Sequence, residues 1–362
     1  MKIITIEEHA LDPAVARASA PTFQALSPYW GAAFDPASGL PYTPSADVLC
    51  DLDEGRIADM DKHGITMQVL SSLSTQQIPA DVAEDLVRSA NDTLAAAVRR
   101  HPGRFAAFAA LPTTVPAAAA AELERCVGDL GFVGTMIMGR TDGEFLSAER
   151  FDPILRTAAR LGVPIYLHPA VPTRVTSSDN YEAGLDPIVA TRFATAAWGW
   201  HNETGIHFLH LVLSGIFDRY PTLQVILGHW GEMVPWFLGR LDEALPRRAT
   251  RLERTIGGYV RQNSYYTPSG MFTEPHLRFC VDVLGTDRMI YSVDYPFVGN
   301  DGAVGFLCRA DLPEAAKEDI AHRNAERLLG GNLHGSASPA AGALGGGVAS
   351  PGPRKVDRAV GP

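Results

Sequence analysis

The chain has 362 residues, 46% of them hydrophobic and 20% charged, with 31 basic against 41 acidic side chains and a formal charge of -10. That balance fits a globular protein able to bury one large core or two modest ones. It argues against nucleic acid and anionic membrane surfaces as partners, because binding there rests on clustered Lys and Arg.

The opening run from Met1 meets Glu7 and Glu8 too soon for a secretory leader, and no later stretch approaches the ~18 apolar residues of a membrane span, so a cytoplasmic protein is expected. The first strand is expected at residues 3–7, ending in Glu7-Glu8-His9, followed by a loop at 20–47 rich in Pro, Ser and aromatic residues. In chain order there follow a helix at 48–62, strand 67–73, helix 79–100, strand 105–111, helix 116–130, strand 133–138, helix 148–161 and strand 164–168. A second Pro- and Ser-rich loop at 170–187 leads into a long helical stretch at 187–217. Strand 223–229, helix 232–249, strand 263–268, helix 274–284, strand 289–294 and helix 312–329 complete the series. The two loops are expected to form a lid. Cys50, Cys126, Cys280 and Cys308 are scattered, with no Cys-x-x-Cys, which predicts neither disulfides nor a zinc ribbon. Residues 335–362 are dominated by Gly, Pro, Ala and Ser and cannot offset their ordering entropy, so a disordered tail is expected behind a catalytic domain at 1–334.

Strands alternating with helices imply a parallel sheet, and eight repeats of the pair favour an α/β protein of the (β/α)₈ TIM-barrel class. The rival, an open Rossmann-like sheet, lacks its fingerprint: no G-x-G-x-x-G follows the first strand.

Barrels gather reactive groups at the C-terminal ends of their strands. Here those ends carry Glu7 and His9, His168, His229 and Asp294. The period of two puts Glu7 and His9 on one face, roughly 6.6 Å apart at the backbone, with Glu8 on the other. With His168 and Asp294 they make two imidazoles and two carboxylates, a mixed set suited to one Zn²⁺ or Mn²⁺ ion. Each member also has a bland reading: Glu7 and His9 exposed to solvent, His168 a core histidine, Asp294 a helix cap. Their joint placement at strand ends favours the metal. His229, in Gly228-His-Trp-Gly-Glu232, has a carboxylate three residues on, within reach of its second nitrogen. We read His229 as a general acid/base oriented by Glu232, although Glu232 could equally cap the next helix. His201, His207 and His210 lie in the long helical stretch, and His63, His101, His276, His322 and His334 at helix ends, in helices or in the tail; all are expected to be structural.

The segments Ile6-Glu-Glu-His9, Pro164-Ile-Tyr-Leu-His-Pro169, Ser214-Gly-Ile-Phe-Asp-Arg-Tyr-Pro221, Gly228-His-Trp-Gly-Glu232 and Ser292-Val-Asp-Tyr-Pro-Phe297 together resemble the amidohydrolase-related, metal-dependent decarboxylases. That family includes γ-resorcylate, 2,3-dihydroxybenzoate, salicylate and aminocarboxymuconate-semialdehyde decarboxylases, and the resemblance runs from Lys2 to about Gly330. Glu7-x-His9, in place of His-x-His, is more similar to the hydroxybenzoate branch. The resemblance implies metal ligation by Glu7, His9, His168 and Asp294, with His229 and Glu232 as a catalytic pair and Asp294 as proton donor. It also implies substrate contacts from Phe23, Arg240 and Phe297, no organic cofactor, a small aromatic carboxylate as substrate, and a homodimer or tetramer. Read from the residues alone, Arg240-Leu-Asp242 could instead be a surface ion pair. In one respect the chain departs from the pattern: Met138 and Gly139 stand where relatives carry an Asn near the end of the fourth strand.

The expected activity is non-oxidative decarboxylation of an aromatic acid with an ortho hydroxyl. The alternatives are a metal-dependent hydrolase of an ester, lactone or amide on the same site, and a non-catalytic binding barrel. Hydrolases of the wider superfamily usually show His-x-His and often a bridging lysine after the fourth strand, and the sequence has neither.

Overall fold

The computed structural model describes residues 1–41, 43–330 and 333. The expected tail at 335–362 lies outside the described residues. Among the described residues seven parallel strands form: β1 (Ile4–Ala10), β2 (Met67–Ser72), β3 (Phe105–Ala107), β4 (Thr135–Met138), β5 (Ile165–His168), β6 (Val225–Leu227) and β7 (Ser264–Tyr266). They pair in the orders β1-β2-β3 and β4-β5-β6-β7.

Single bridges join these two sheets into a ring. Ala109 beyond β3 pairs with Thr135 of β4. On the other side, residues 289–295 run beside both β7 and β1: Ile290 N–H donates to Tyr266 C=O at 2.9 Å, Ile6 N–H to Tyr291 C=O at 3.2 Å, and His9 N–H to Tyr295 C=O at 2.7 Å. This is the expected eighth strand, held by isolated contacts because Asp294 turns to a left-handed φ of 67° where the ladder would continue. The fold is the (β/α)₈ barrel.

Side chains inside the barrel, including Ile4, Ile6, Met67, Val69, Phe108, Tyr166, Ile226 and Ile290, form one buried cluster. A larger cluster lies between the strands and the surrounding helices. A bulge in β1 matters for function. Its register to β2 runs Thr5↔Gln68 and then Glu8↔Leu70, so β1 spends one extra residue. That insertion lets Ile4 and Ile6 fill the interior and still turns Glu7 and His9 toward the axis at the top. Glu8 points the other way, where its carboxylate accepts N–H bonds from Val293 (3.1 Å) and Tyr295 (3.3 Å) on either side of Asp294. Burial pushes that carboxyl up to about 8.

Several helices differ from expectation. The expected 20–47 loop is shortened from its start by a helix, Pro13–Leu26, and interrupted by a second, Trp30–Ala33; the first is started by Asp12, whose side chain accepts from Ala14 and Val15 N–H, with Pro13 in its first turn. The 48–62 helix divides into Ala46–Cys50 and Glu54–His63. The 187–217 stretch divides into Pro187–Arg192, Gly199–Leu213 and Ile216–Arg219, broken by non-helical backbone at Thr195 and Trp198. Ile256–Asn263 and Ala303–Arg309 are further helices beyond those expected.

Candidate active site

Glu7 and His9 from β1, His168 at the end of β5 and Asp294 in the eighth segment each bring one ligand atom into a group lying within 4.8 Å of one another. His9 Nε2 stands 3.0 Å from Asp294 Oδ1, and His168 Nε2 3.4 Å from Glu7 Oε1. Those same four atoms are buried and have no hydrogen-bond partner. Buried polar atoms are almost always paired, so four convergent orphans need a shared partner, and two imidazole nitrogens with two carboxylate oxygens fit a divalent cation.

Glu7, His9 and His168 are also held from outside. His168 Nδ1 lies 2.7 Å from Pro169 C=O, an acceptor only, so the proton sits there and Nε2 keeps its lone pair. His9 Nδ1 meets Ser71 Oγ at 3.0 Å, and the Arg56 guanidinium, itself buried, donates to His9 C=O at 2.6 Å. Glu7 Oε2 accepts from Ser292 Oγ (3.1 Å), Thr267 Oγ1 (3.4 Å) and Ser269 Oγ. Burial drives His168 well below its ordinary value, keeping it a neutral ligand, and raises Glu7, an effect to which Asp294 adds.

His229 and Glu232 sit on a run of left-handed backbone, with φ of 46° at His229, 59° at Trp230, 89° at Gly231, 51° at Glu232 and 65° at Met233. Such conformations cost of order 1–3 kcal/mol each at non-glycine residues and persist where the surroundings over-determine them. The run folds Glu232 back so that its Oε1 accepts from His229 Nδ1 at 2.8 Å. Burial alone would lower His229, but the Glu232 carboxylate, helped by Glu7 and Asp294, raises it to about 9. Burial would likewise raise Glu232, and His229 and His201 together lower it.

Gly228 allows the close approach this arrangement needs. A Cβ there would lie 2.6 Å from Ser269 Oγ and 3.1 Å from Glu7 Oε1. Gly228→Ala is therefore expected to weaken metal binding by roughly 10- to 100-fold through the displaced Ser269–Glu7 contact. Metal titration of the stripped protein measures this, and an unchanged affinity would refute it.

Of the three expected substrate contacts, Phe297 packs edge-on to His9 with ring centroids 5.6 Å apart. Phe23 is half-buried in the helix Pro13–Leu26 and begins an aromatic file: Phe23 to Trp30 at 5.1 Å, Trp30 to Trp200 at 6.3 Å and Trp200 to His201 at 5.9 Å. Arg240 is not brought to the site of its own chain. The helix Val234–Ala244 buries Val234, Pro235 and Leu238, which leaves Arg240 on its outer face, 70% exposed and paired with Glu243 at 3.0 Å. Met138 is buried beside His168 in the β4–β5 register, so no side-chain amide stands there.

The sequence reading is corrected at His201. With the long stretch broken at Trp198, His201 falls in the first turn of Gly199–Leu213, and its Nδ1 lies 2.9 Å from Glu232 Oε2. Its ring centroid is 4.3 Å from that of His229. His207 is structural as expected: its Nε2 accepts from Leu146 N–H at 2.8 Å, and burial holds it down at about 3. Ser71, Ser269, Ser292 and Arg56 also went unread, since only the three-dimensional approach of distant strands reveals them.

The first expected lid loop is met by the helix that follows the second. Arg192 reaches from the helix Pro187–Arg192 to stack on Phe34 at 4.7 Å and to donate to Pro41 C=O at 2.8 Å. A cavity of about 450 Å³ is lined by Thr22 and Leu26 of the helix Pro13–Leu26, by Arg140, and by Val171 and Thr173 in the segment after β5.

The family model described as Amidohydrolase matches residues 27–331. A γ-resorcylate decarboxylase of Rhizobium radiobacter is 36% identical over 297 residues, 78% of this chain and 88% of the relative. A 5-carboxyvanillate decarboxylase of Novosphingobium aromaticivorans, solved with manganese and 4-hydroxy-3-methoxy-5-nitrobenzoic acid, is similar at a TM-score of 0.79 and 33% identity, covering 91% of this chain and 96% of that one. A dihydroxybenzoic acid decarboxylase of Polaromonas sp. JS666, solved with manganese and 2-nitroresorcinol, is similar at 0.77 and 31%, with the same coverage.

Proposed function

The chain belongs to the amidohydrolase family, and from that premise we propose that it is a metal-dependent, non-oxidative decarboxylase of a small aromatic acid bearing a hydroxyl ortho to the carboxylate. The observation that carries this reading is the set of four buried, unpartnered ligand atoms beside a histidine hydrogen-bonded to a buried carboxylate. Glu7, His9, His168 and Asp294 are the residues that would hold the ion, as the manganese-bound neighbours support. When bound, a divalent cation there supplies positive charge against the substrate's carboxylate and phenolate oxygens.

The net reaction consumes one proton: the aryl carboxylate and H⁺ give the arene and CO₂. Asp294 delivers that proton to the ring carbon bearing the carboxylate. The new C–H bond breaks aromaticity and leaves a dienone-like ring; the C–C bond to the carboxylate then breaks and its electron pair restores the aromatic system. His229, with Nδ1 committed to Glu232, keeps Nε2 for a substrate oxygen or for returning a proton to the site. Phe297 and Phe23 support flat packing of the ring. The reverse carboxylation runs at high bicarbonate.

Chelator-stripped protein is expected to release no CO₂ and to recover with Mn²⁺ or Zn²⁺. The assay is loss of hydroxybenzoates, with lactones and amides as the counter-panel. A metal-loaded enzyme inert toward every ortho-hydroxy aromatic acid, or one that cleaves the lactones instead, would sink the proposal.

We assign residues 1–334 to the catalytic domain, a division that the match over 27–331 supports. We also assign a homo-oligomer, a dimer or tetramer. Trp236 and Phe237, 70% and 52% exposed on the outer face of Val234–Ala244, support it as apolar area a monomer seldom leaves bare. A cytoplasmic location suits the four free thiols. No helix among the described residues is long and apolar enough to cross a membrane.

A further inference from the structure

Glu232 is shared by two histidines, and the mechanism uses only one. Its Oε1 accepts from His229 Nδ1 at 2.8 Å and its Oε2 from His201 Nδ1 at 2.9 Å, with the carboxylate fully buried between them. A buried carboxylate only accepts, so both Nδ1 atoms must carry protons.

The trio His201, His229 and Glu232 also has the composition of a second metal site, its atoms lying within 4.8 Å. The hydrogen bonding argues otherwise. The four atoms of the first cluster are orphans, whereas every close atom of this trio is matched, donor to acceptor, and none is unpartnered. The trio is a hydrogen-bonded unit that needs no ion.

His201 is itself braced. The neighbouring Trp200 indole N–H points at His201 Nε2 at 3.0 Å, and Trp200 packs on Trp30, which packs on Phe23. Glu232, by contrast, rides on left-handed backbone in a run of five such residues. Among the described residues, only the two histidines hydrogen-bond its oxygens.

We infer that His201 is a positioning residue: by occupying Oε2 it holds the Glu232 carboxylate in the orientation that keeps Oε1 on His229 Nδ1. Without that donor a buried charged oxygen is left unpaired, which drives the carboxylate to turn in search of a partner. The kinetic part of this inference rests on the decarboxylase reading; the orientation of Glu232 does not.

Two variants separate donation from bulk. His201→Phe fills the space without a donor, and His201→Asn restores an N–H. For His201→Phe, kcat is expected to fall roughly 10- to 100-fold with KM within about threefold, while His201→Asn recovers to within about fivefold of the parent enzyme. The crystal structure of the Phe variant is expected to show Glu232 turned away from His229, with metal content unchanged. Glu232 still bonded to His229 in that variant would overturn the inference. So would a Phe variant within twofold of the parent kcat, an Asn variant as slow as Phe, or loss of bound metal, which would make His201 a ligand. If the parent enzyme decarboxylates nothing, the crystallographic result alone decides.

Discussion

Asp294→Asn is expected to lower kcat for decarboxylation by about 10³-fold or more while the hydroxy acid still binds. The residue combines two duties: one oxygen joins the metal group 3.0 Å from His9 Nε2, and the carboxyl is the proposed proton source. Asparagine keeps the shape and one carbonyl oxygen but has no acidic proton, and general-acid catalysis is typically worth 10²–10⁴-fold. Folding should survive, because Asp294 sits at φ 67°, a region where Asn and Asp are the best tolerated side chains after glycine. Calorimetry on the metal-loaded variant should show substrate affinity within about tenfold of the parent enzyme, beside single-turnover CO₂ release that is nearly abolished. A variant that retains a tenth of parental kcat would remove Asp294 from the proton-donor role and leave it as a ligand only.

Much of this site was legible before the fold, and the reason is geometric. Alternating β and α segments fix which end of each strand carries chemistry, so Glu7, His9, His168, His229 and Asp294 stood out as titratable residues at strand ends. Glu7 and His9 were expected on one face from the period of two, and the bulge before Glu8 is what reconciles that with Ile4 and Ile6 filling the core. What escaped depended on breaks in regular structure or on long-range approach. Read as one helix, residues 187–217 hid His201, because the break at Thr195 and Trp198 resets which residues face the barrel. Ser269, which touches Glu7 and accepts from His229 N–H at 2.9 Å, is 262 residues from Glu7 in the chain. Arg240 is the opposite case, turned away from the site of its own chain. Motif resemblance placed it at the site, but the helix Val234–Ala244 has its buried face elsewhere.

In Glu232→Gln the alkaline limb of kcat is expected to move down by about two pH units or more. His229 is raised to about 9; burial opposes that rise, and Glu232 is the largest cause of it. Glutamine keeps one acceptor oxygen for His229 Nδ1–H, turns its NH₂ toward His201, whose Nδ1 must then accept, and removes the charge, so burial then dominates and His229 drops below its usual ~6.5. Bound metal would offset the smaller contributions of Glu7 and Asp294, so the parental limb should lie at or somewhat under pH 9. A histidine raised in the folded state contributes stability that is fully present below about pH 6.5 and is lost as pH rises through about 9. The parent protein should therefore lose stability across that window, and the variant should not. Chemical denaturation at pH 6 and pH 9 reads this without reference to turnover. At pH 7.5 the variant should turn over roughly 10- to 100-fold more slowly if charged His229 takes part in the reaction. Should the stability window vanish while kcat and its limb stay put, the His229–Glu232 pair would be an element of the fold, and the proton economy of the site would rest on Asp294 alone.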